Sequence, residues 1–177
     1  MSLKVLILDM NQLESLPSSL GRLPKLEKLS LRGNRLRSLP PMTGCTSLQS
    51  LNLAFNNLLD LPDLAGCEAS LEELDARNNA VTCIPPSYGR LTRLKTLTLE
   101  NCGVGAVPTE VLLHCGALQT LSLHGCPVEI ATLQATEGFE EFEQRRRTKY
   151  SKGIAGGAVM GSRGMDEGVT RETTQTR

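Results

Sequence analysis

From Leu3 onward, apolar and polar residues alternate in a short burst, the pattern breaks, and the burst returns five more times. The bursts read LKVLILDMNQL from Leu3, LEKLSLRGNRL from Leu26, LQSLNLAFNNL from Leu48, LEELDARNNAV from Leu71, LKTLTLENCGV from Leu94 and LQTLSLHGCPV from Leu118. Their starts lie 23, 22, 23, 23 and 24 residues apart. The centre of each burst, x-Leu-x-Leu-x, has the period of a strand with one buried face. Leu29 and Leu31, Leu51 and Leu53, Leu97 and Leu99, and Leu121 and Leu123 are the expected inward pairs. The slot that follows holds Asn11, Asn34, Asn56, Asn79, Cys102 and Cys126. A carboxamide carries both donors and an acceptor, so stacked copies predict a ladder that satisfies buried peptide groups. A thiol does this only weakly, so the ladder is expected to be poorer toward the C-terminus.

The second half of each repeat carries Leu-Pro, Ile-Pro or Val-Pro at Pro17, Pro40, Pro62, Pro85 and Pro108. Proline has a fixed φ and no N–H, which suits the start of a short helical or 3₁₀ turn. Leu20, Leu23, Leu91 and Val111 or Leu112 then pack inward. After Val128 the phrase stops, and Ile130, Leu133, Phe139 and Phe142 predict one or two short capping helices broken at Gly138. From 151 the chain turns rich in Gly, Thr and charge, the composition of a disordered tail. The expected organisation is six repeats over 1–128, a helical cap over 129–150 and a tail over 151–177. Only Met-Ser precedes Leu3, so the first strand is expected at an open edge, as in the C-terminal part of a longer repeat protein or one covered by a partner.

This phrase at this period is identified as a leucine-rich repeat. The resemblance implies an α/β solenoid shaped as a horseshoe. A parallel β-sheet lines its concave side, short helical or 3₁₀ turns its convex side, and a helical cap its C-terminus. The repeats, with their LP-x-x-L-x-x-L second halves, resemble intracellular Ras-group leucine-rich repeat proteins, both the plant Ras-group-related and the animal Ras-suppressor types. The closing segment LSLHGCPVEIATLQATEGFEEFEQRRRTKY resembles the end of that group, where an Asn-Pro-Ile turn leads into a Gly-aromatic helix and a basic end; Cys126 and Val128 replace the Asn and the Ile. The resemblance implies a signalling scaffold and offers no catalytic residue to carry over.

Composition narrows the chemistry. Net charge is zero and aromatic residues make up 3% with no Trp; this speaks against nucleic acid, which calls for sustained positive potential or stacking platforms. No apolar run reaches the roughly 18 residues that span a bilayer. With no charged and apolar leader and no glycosylation sequon, the expected compartment is the cytoplasm or nucleus. The six cysteines form no CxxC pair, and His114 and His124 are not at zinc-site spacing from them. Cys45, Cys67, Cys102, Cys115 and Cys126 read as small buried hydrophobes and Cys83 as a turn residue. The glycines of GIAGGAVMG lack the Lys-Ser/Thr of a phosphate-binding loop. No cofactor, metal or small-molecule substrate is expected.

The outward strand positions are the candidate site. They run Val5, Ile7, Asp9; Lys28, Ser30, Arg32; Ser50, Asn52, Ala54; Glu73, Asp75, Arg77; Thr96, Thr98, Glu100; Thr120, Ser122, His124, with Phe55 beside them either at the rim or as a spine aromatic. Of these, Asp9, Lys28, Ser30, Arg32, Asn52, Phe55, Glu73, Asp75, Arg77, Thr98, Glu100, Ser122 and His124 are expected to contact a protein partner, since a mosaic of charges sets register and specificity. Glu73 and Asp75 are read as an acidic patch beside Arg77 rather than as a catalytic pair. Arg145, Arg146, Arg147 and Lys149 form a basic cluster that suits the positive end of a capping helix or an acidic partner. The function these features predict is a non-catalytic protein-binding scaffold in intracellular signalling. The alternatives are a structural subunit held by its open edge and tail, or a targeting subunit of a phosphatase, kinase or ubiquitin ligase.

Overall fold

The computed structural model describes residues 3–155, with side chains as far as Thr148. Each burst forms one short strand: β1 (Val5–Ile7), β2 (Lys28–Ser30), β3 (Ser50–Asn52), β4 (Glu73–Asp75), β5 (Thr96–Thr98) and β6 (Thr120–Ser122). They join in chain order into one parallel sheet. Its register aligns Leu6, Leu29, Leu51, Leu74, Leu97 and Leu121 across the six strands. The inward leucines of the interior repeats are fully buried, among them Leu29, Leu31, Leu51, Leu53, Leu97 and Leu99. Each contributes roughly 1.5–3 kcal/mol by leaving water. Leu6 in β1 and Leu8 just after it, in a repeat whose strand has a neighbour on one side only, are half-buried.

The convex side follows the prolines unevenly. Pro17 and Pro85 precede 3₁₀ turns at Ser18–Arg22 and Pro86–Arg90, and Pro108 precedes the helix α1 (Thr109–His114). The repeats of Pro40 and Pro62 pass this side as turns with no helix. Leu20, Leu91, Val111 and Leu112 point into the core as expected, while Leu23 is half-buried. A column of glycines at Gly21, Gly44, Gly66 and Gly89 lets these turns approach closely. A Cβ on Gly21 would sit 1.9 Å from the Pro41 carbonyl oxygen, and one on Gly66 2.0 Å from that of Thr43. Tyr88 fills the fourth turn, fully buried, with its hydroxyl donating to the Pro62 carbonyl at 2.9 Å.

The Asn slot closes each interior turn. Asn34 donates through Nδ2 to the Leu8 and Leu31 carbonyls at 2.9 Å each, and its Oδ1 accepts from Leu13 N–H at 3.1 Å. Asn56 repeats the set with Leu31, Leu53 and Leu36, and Asn79 with Leu53, Ala76 and Leu58. Asn11, in the first repeat, bonds only to its own turn and is exposed. The ladder thins at the other end, where the Cys102 thiol donates to the Ala76 carbonyl at 3.4 Å and Cys126 to that of Leu99 at 3.0 Å. The backbone N–H groups of Asn79 and Val81 face the Cys102 sulfur, a poor acceptor.

Two helices close the C-terminal end, α2 (Ile130–Ala135) and α3 (Phe139–Ala155), separated at Gly138 with φ +90°. Phe142 enters the core, and Leu133 and Phe139 pack against it. Helix α3 runs past residue 150, where the tail was expected to begin; the rest of that tail, 156–177, lies outside the described residues.

All six cysteines are free, and Cys83 alone is exposed. Burial pushes the Cys67 thiol up to about 12 and the Cys115 thiol to about 11, with Arg145 opposing the latter. Native-state alkylation near neutral pH is therefore expected to label Cys83 first and to reach Cys67 and Cys115 only on unfolding; peptide mass spectrometry reads this directly. Asn56→Ala should lose roughly 3 kcal/mol in urea denaturation, because it orphans buried peptide groups. Asn11→Ala, at the exposed rung, should lose less than about 1 kcal/mol. Cys102→Asn supplies the missing amide acceptor and should gain about 1 kcal/mol in the same assay.

Candidate interaction face

The sheet register sorts the outward side chains into rows, with strands about 4.8 Å apart. One row is Val5, Lys28, Ser50, Glu73, Thr96 and Thr120; the next is Ile7, Ser30, Asn52, Asp75, Thr98 and Ser122. A third lies just past the strands: Asp9, Arg32, Ala54, Arg77, Glu100 and His124. It is held by backbone bonds such as Met10 N–H to the Arg32 carbonyl at 2.7 Å and Phe55 N–H to that of Arg77 at 2.9 Å.

The middle row departs from expectation. Ser30, Thr98 and Ser122 are buried, although all three were expected to read a partner. Their side chains are short and lie between two flanking rows, so their neighbours shield them. Ser30 donates its hydroxyl to Asp9 Oδ1 at 2.6 Å, and the same oxygen accepts Arg32 N–H at 2.9 Å. Asn52, half-buried, turns its Oδ1 to the Ala54 N–H at 3.0 Å. These groups shape the wall rather than reach from it.

Charge is distributed in two blocks. In the fourth and fifth repeats, Arg77 Nε and Nη2 clamp the Asp75 carboxylate at 2.8–3.0 Å, and Arg77 Nη1 lies 3.8 Å from Glu100. The hydrogen bonds it donates to Asp75 hold the Arg77 guanidinium above its ordinary pKa, against burial, with further help from the charges of Asp75 and Glu100. This block is internally paired and keeps one net negative charge. In the second repeat, Lys28 and Arg32 are exposed, and among the described residues neither side chain pairs with a carboxylate. Arg32 instead lies over the Phe55 ring, 5.1 Å from its centroid. Such a contact contributes about 0.5–1 kcal/mol at an exposed site. Glu73 and His124 stand exposed on the wall.

Phe55 belongs to the rim and not to a spine; it is 45% exposed. It also belongs to a column that the sequence pattern left unread. The residue before each Asn or Cys slot has positive φ: Met10 (56°), Gly33 (69°), Phe55 (59°), Asn78 (55°), Asn101 (53°) and Gly125 (72°). Gly, and to a lesser degree Asn, adopt this left-handed conformation with little cost, whereas a bulky residue loses roughly 1–2 kcal/mol. Gly33 and Gly125 in one slot were the available signal. The column is packed along the rim. The ideal Cβ position of Gly33 lies 2.5 Å from Met10 Sδ, that of Gly125 lies 2.3 Å from Asn101 Oδ1, and Asn101 donates to Asn78 at 3.2 Å.

Among the described side chains, the basic cluster is partly drawn into the cap. Arg145 turns onto the last repeat and donates to the Leu112 and Leu118 carbonyls at 2.5 and 3.4 Å. Arg146 and Arg147 pair with Glu143 at 3.2 and 3.9 Å. These contacts satisfy carbonyls at the end of the solenoid and give Arg146 and Arg147 one carboxylate to share. The side chain of Lys149 lies outside those described. No helix among the described residues is long and apolar enough to cross a membrane, and no group of His, Cys, Asp or Glu there is disposed to hold a metal ion.

The sequence matches two family models: a single leucine-rich repeat over residues 2–23 and a two-copy leucine-rich repeat model over residues 24–66. Among characterised proteins it is similar to plant intracellular Ras-group-related LRR protein 7 of Oryza sativa subsp. japonica. The two are 43% identical over 60 residues, covering 34% of this chain and 23% of the relative, so the match spans less than a quarter of that protein. Among solved structures it is similar to an LRR protein of Leptospira interrogans, with TM-score 0.69 and 30% identity over 84% of this chain and 36% of the other. It is also similar to a plant peptide hormone receptor solved in complex with RGF2, with TM-score 0.59 and 31% identity over 67% of this chain and 20% of the receptor. The chain has a leucine-rich repeat fold, its residues 2–66 match leucine-rich repeat models, and over 60 residues it is similar to a plant intracellular Ras-group-related member of that class.

Proposed function

We propose that this chain is a non-catalytic scaffold in intracellular signalling, located in the cytoplasm or nucleus, that binds another protein on its concave sheet. The observation that carries this reading is the wall itself. Six in-register strands hold exposed charged and polar side chains at fixed spacing on a backbone whose hydrogen bonds are already made. Binding to such a surface orders little protein, so little conformational entropy opposes it. Leucine-rich repeat proteins generally act through protein–protein contacts, and one structural neighbour is a receptor solved in complex with RGF2. The identity of the pathway rests on the similarity to the Ras-group proteins alone.

The test compares wild type with the wall variant Arg32→Glu/Asp75→Lys/Arg77→Glu and with a convex control, Arg22→Glu/Arg90→Glu, by pull-down from native lysate and quantitative mass spectrometry. Circular dichroism checks that all three fold. The wall variant is expected to lose its dominant partner by about tenfold or more, equivalent to at least about 1.4 kcal/mol, while the convex control retains it. An unchanged partner list in the wall variant would overturn the reading and direct attention to the exposed β1 edge.

A further inference from the structure

The two charge blocks of the wall are not equivalent. Asp75, Arg77 and Glu100 satisfy one another. The first three repeats carry the wall's cations that have no carboxylate partner. Lys28 and Arg32 lack a carboxylate partner among the described residues, and the nearest acid on the wall, Asp9, is engaged by the Ser30 hydroxyl and the Arg32 backbone. Arg32 lies over the Phe55 ring, 5.1 Å from its centroid, a contact that restrains a guanidinium whose fork of donors suits a bidentate carboxylate. Around these cations lie four of the large exposed apolar residues: Val5 at 50%, Ile7 at 57%, Met10 at 79% and Phe55 at 45%.

The backbone adds a second, independent observation. Met10 and Phe55 occupy left-handed slots that the same fold fills with Gly33, Asn78, Asn101 and Gly125 elsewhere. The solenoid therefore does not need a large apolar side chain in that slot. A strained, exposed aromatic kept against the local preference points to a role outside the fold.

Resting on the concave wall as the interaction face, we infer that its first three repeats take an amphipathic segment of a partner protein. Carboxylates of that segment meet Lys28 and Arg32, and its apolar side chains meet Ile7, Met10 and Phe55. Charge selects this occupant over a second copy of the chain. Two copies meeting patch to patch would gather four cations, Lys28 and Arg32 from each, against only the two Asp9 carboxylates, and would leave a net positive interface. It also selects against nucleic acid, because Glu73 and the Asp75–Glu100 block share the same wall.

The test pans a displayed library of random dodecapeptides against the full chain, then measures the most enriched synthetic peptide by fluorescence anisotropy. Enrichment of Asp and Glu together with Leu, Ile or Phe is expected. Affinity should fall about tenfold or more in Lys28→Glu/Arg32→Glu and also in Phe55→Asn, and should hold in the convex control Arg22→Glu/Arg90→Glu. The melting temperature of Phe55→Asn should be equal to or above that of the parent, since Asn suits the slot; Phe55→Gly serves as a second variant with the same expectation. Enrichment of basic or uncharged sequences overturns the inference, and so does a fall of several degrees in both Phe55 variants. Peptide binding lost only in Asp75→Lys/Arg77→Glu overturns the location while leaving the concave face as the binding surface. Binding indifferent to every wall variant overturns both. An empty selection also overturns it, and sedimentation showing self-association that Ile7→Asp abolishes would assign the patch to a second copy.

Discussion

Every turn of this solenoid buries peptide groups that no strand can satisfy, because each repeat contributes a strand of only three residues. An unpaired buried N–H or C=O costs on the order of 1–3 kcal/mol, so the coil exists only if something else bonds to those groups. Asn34, Asn56 and Asn79 do so from within, each bridging its own turn and the one before. That bridge sets the spacing of neighbouring turns and keeps the strands in register. It also requires the residue ahead of it to swing into the left-handed region. The three wall rows and the rim column thus follow from the same bond.

The ends of the coil show what happens where this interaction weakens. Toward the C-terminus the amides give way to the thiols of Cys102 and Cys126, and other groups take over. Phe142 seals the apolar end, and Arg145 reaches back to two carbonyls of the closing repeats. Arginine suits that place because its several donors satisfy more than one acceptor from a single side chain. The cap thereby draws on the cations that would otherwise make a basic surface, and Glu143 engages two more.

On the wall, the same rigidity separates groups that hold the surface together from groups left over to meet something else. The Asp9–Ser30 and Asp75–Arg77–Glu100 contacts belong to the first kind. Lys28, Arg32 and the exposed apolar residues of the first three repeats belong to the second. A wall with an internally paired acidic block on one side and, on the other, cations without a carboxylate partner among the described residues gives a partner one preferred place to dock, and charge complementarity then fixes its register.

The sequence by itself determined the repeat, its period, the inward leucines, the amide ladder and the helical cap broken at Gly138. All of these are local patterns, readable because strand and turn geometry impose fixed periods on the chain. It also placed the wall residues in the right rows, since alternation along a strand dictates which face each side chain takes. It did not determine which wall residues are open. Ser30, Thr98 and Ser122 are shielded by neighbours 20 or so residues away in the chain, and Arg145 finds its partners at Leu112 and Leu118. The place of Phe55 on the rim, and its stacking with Arg32 from the preceding repeat, were likewise decided between repeats. Alternation assigns a face; only the contacts between adjacent turns decide whether a side chain on that face is spent or free.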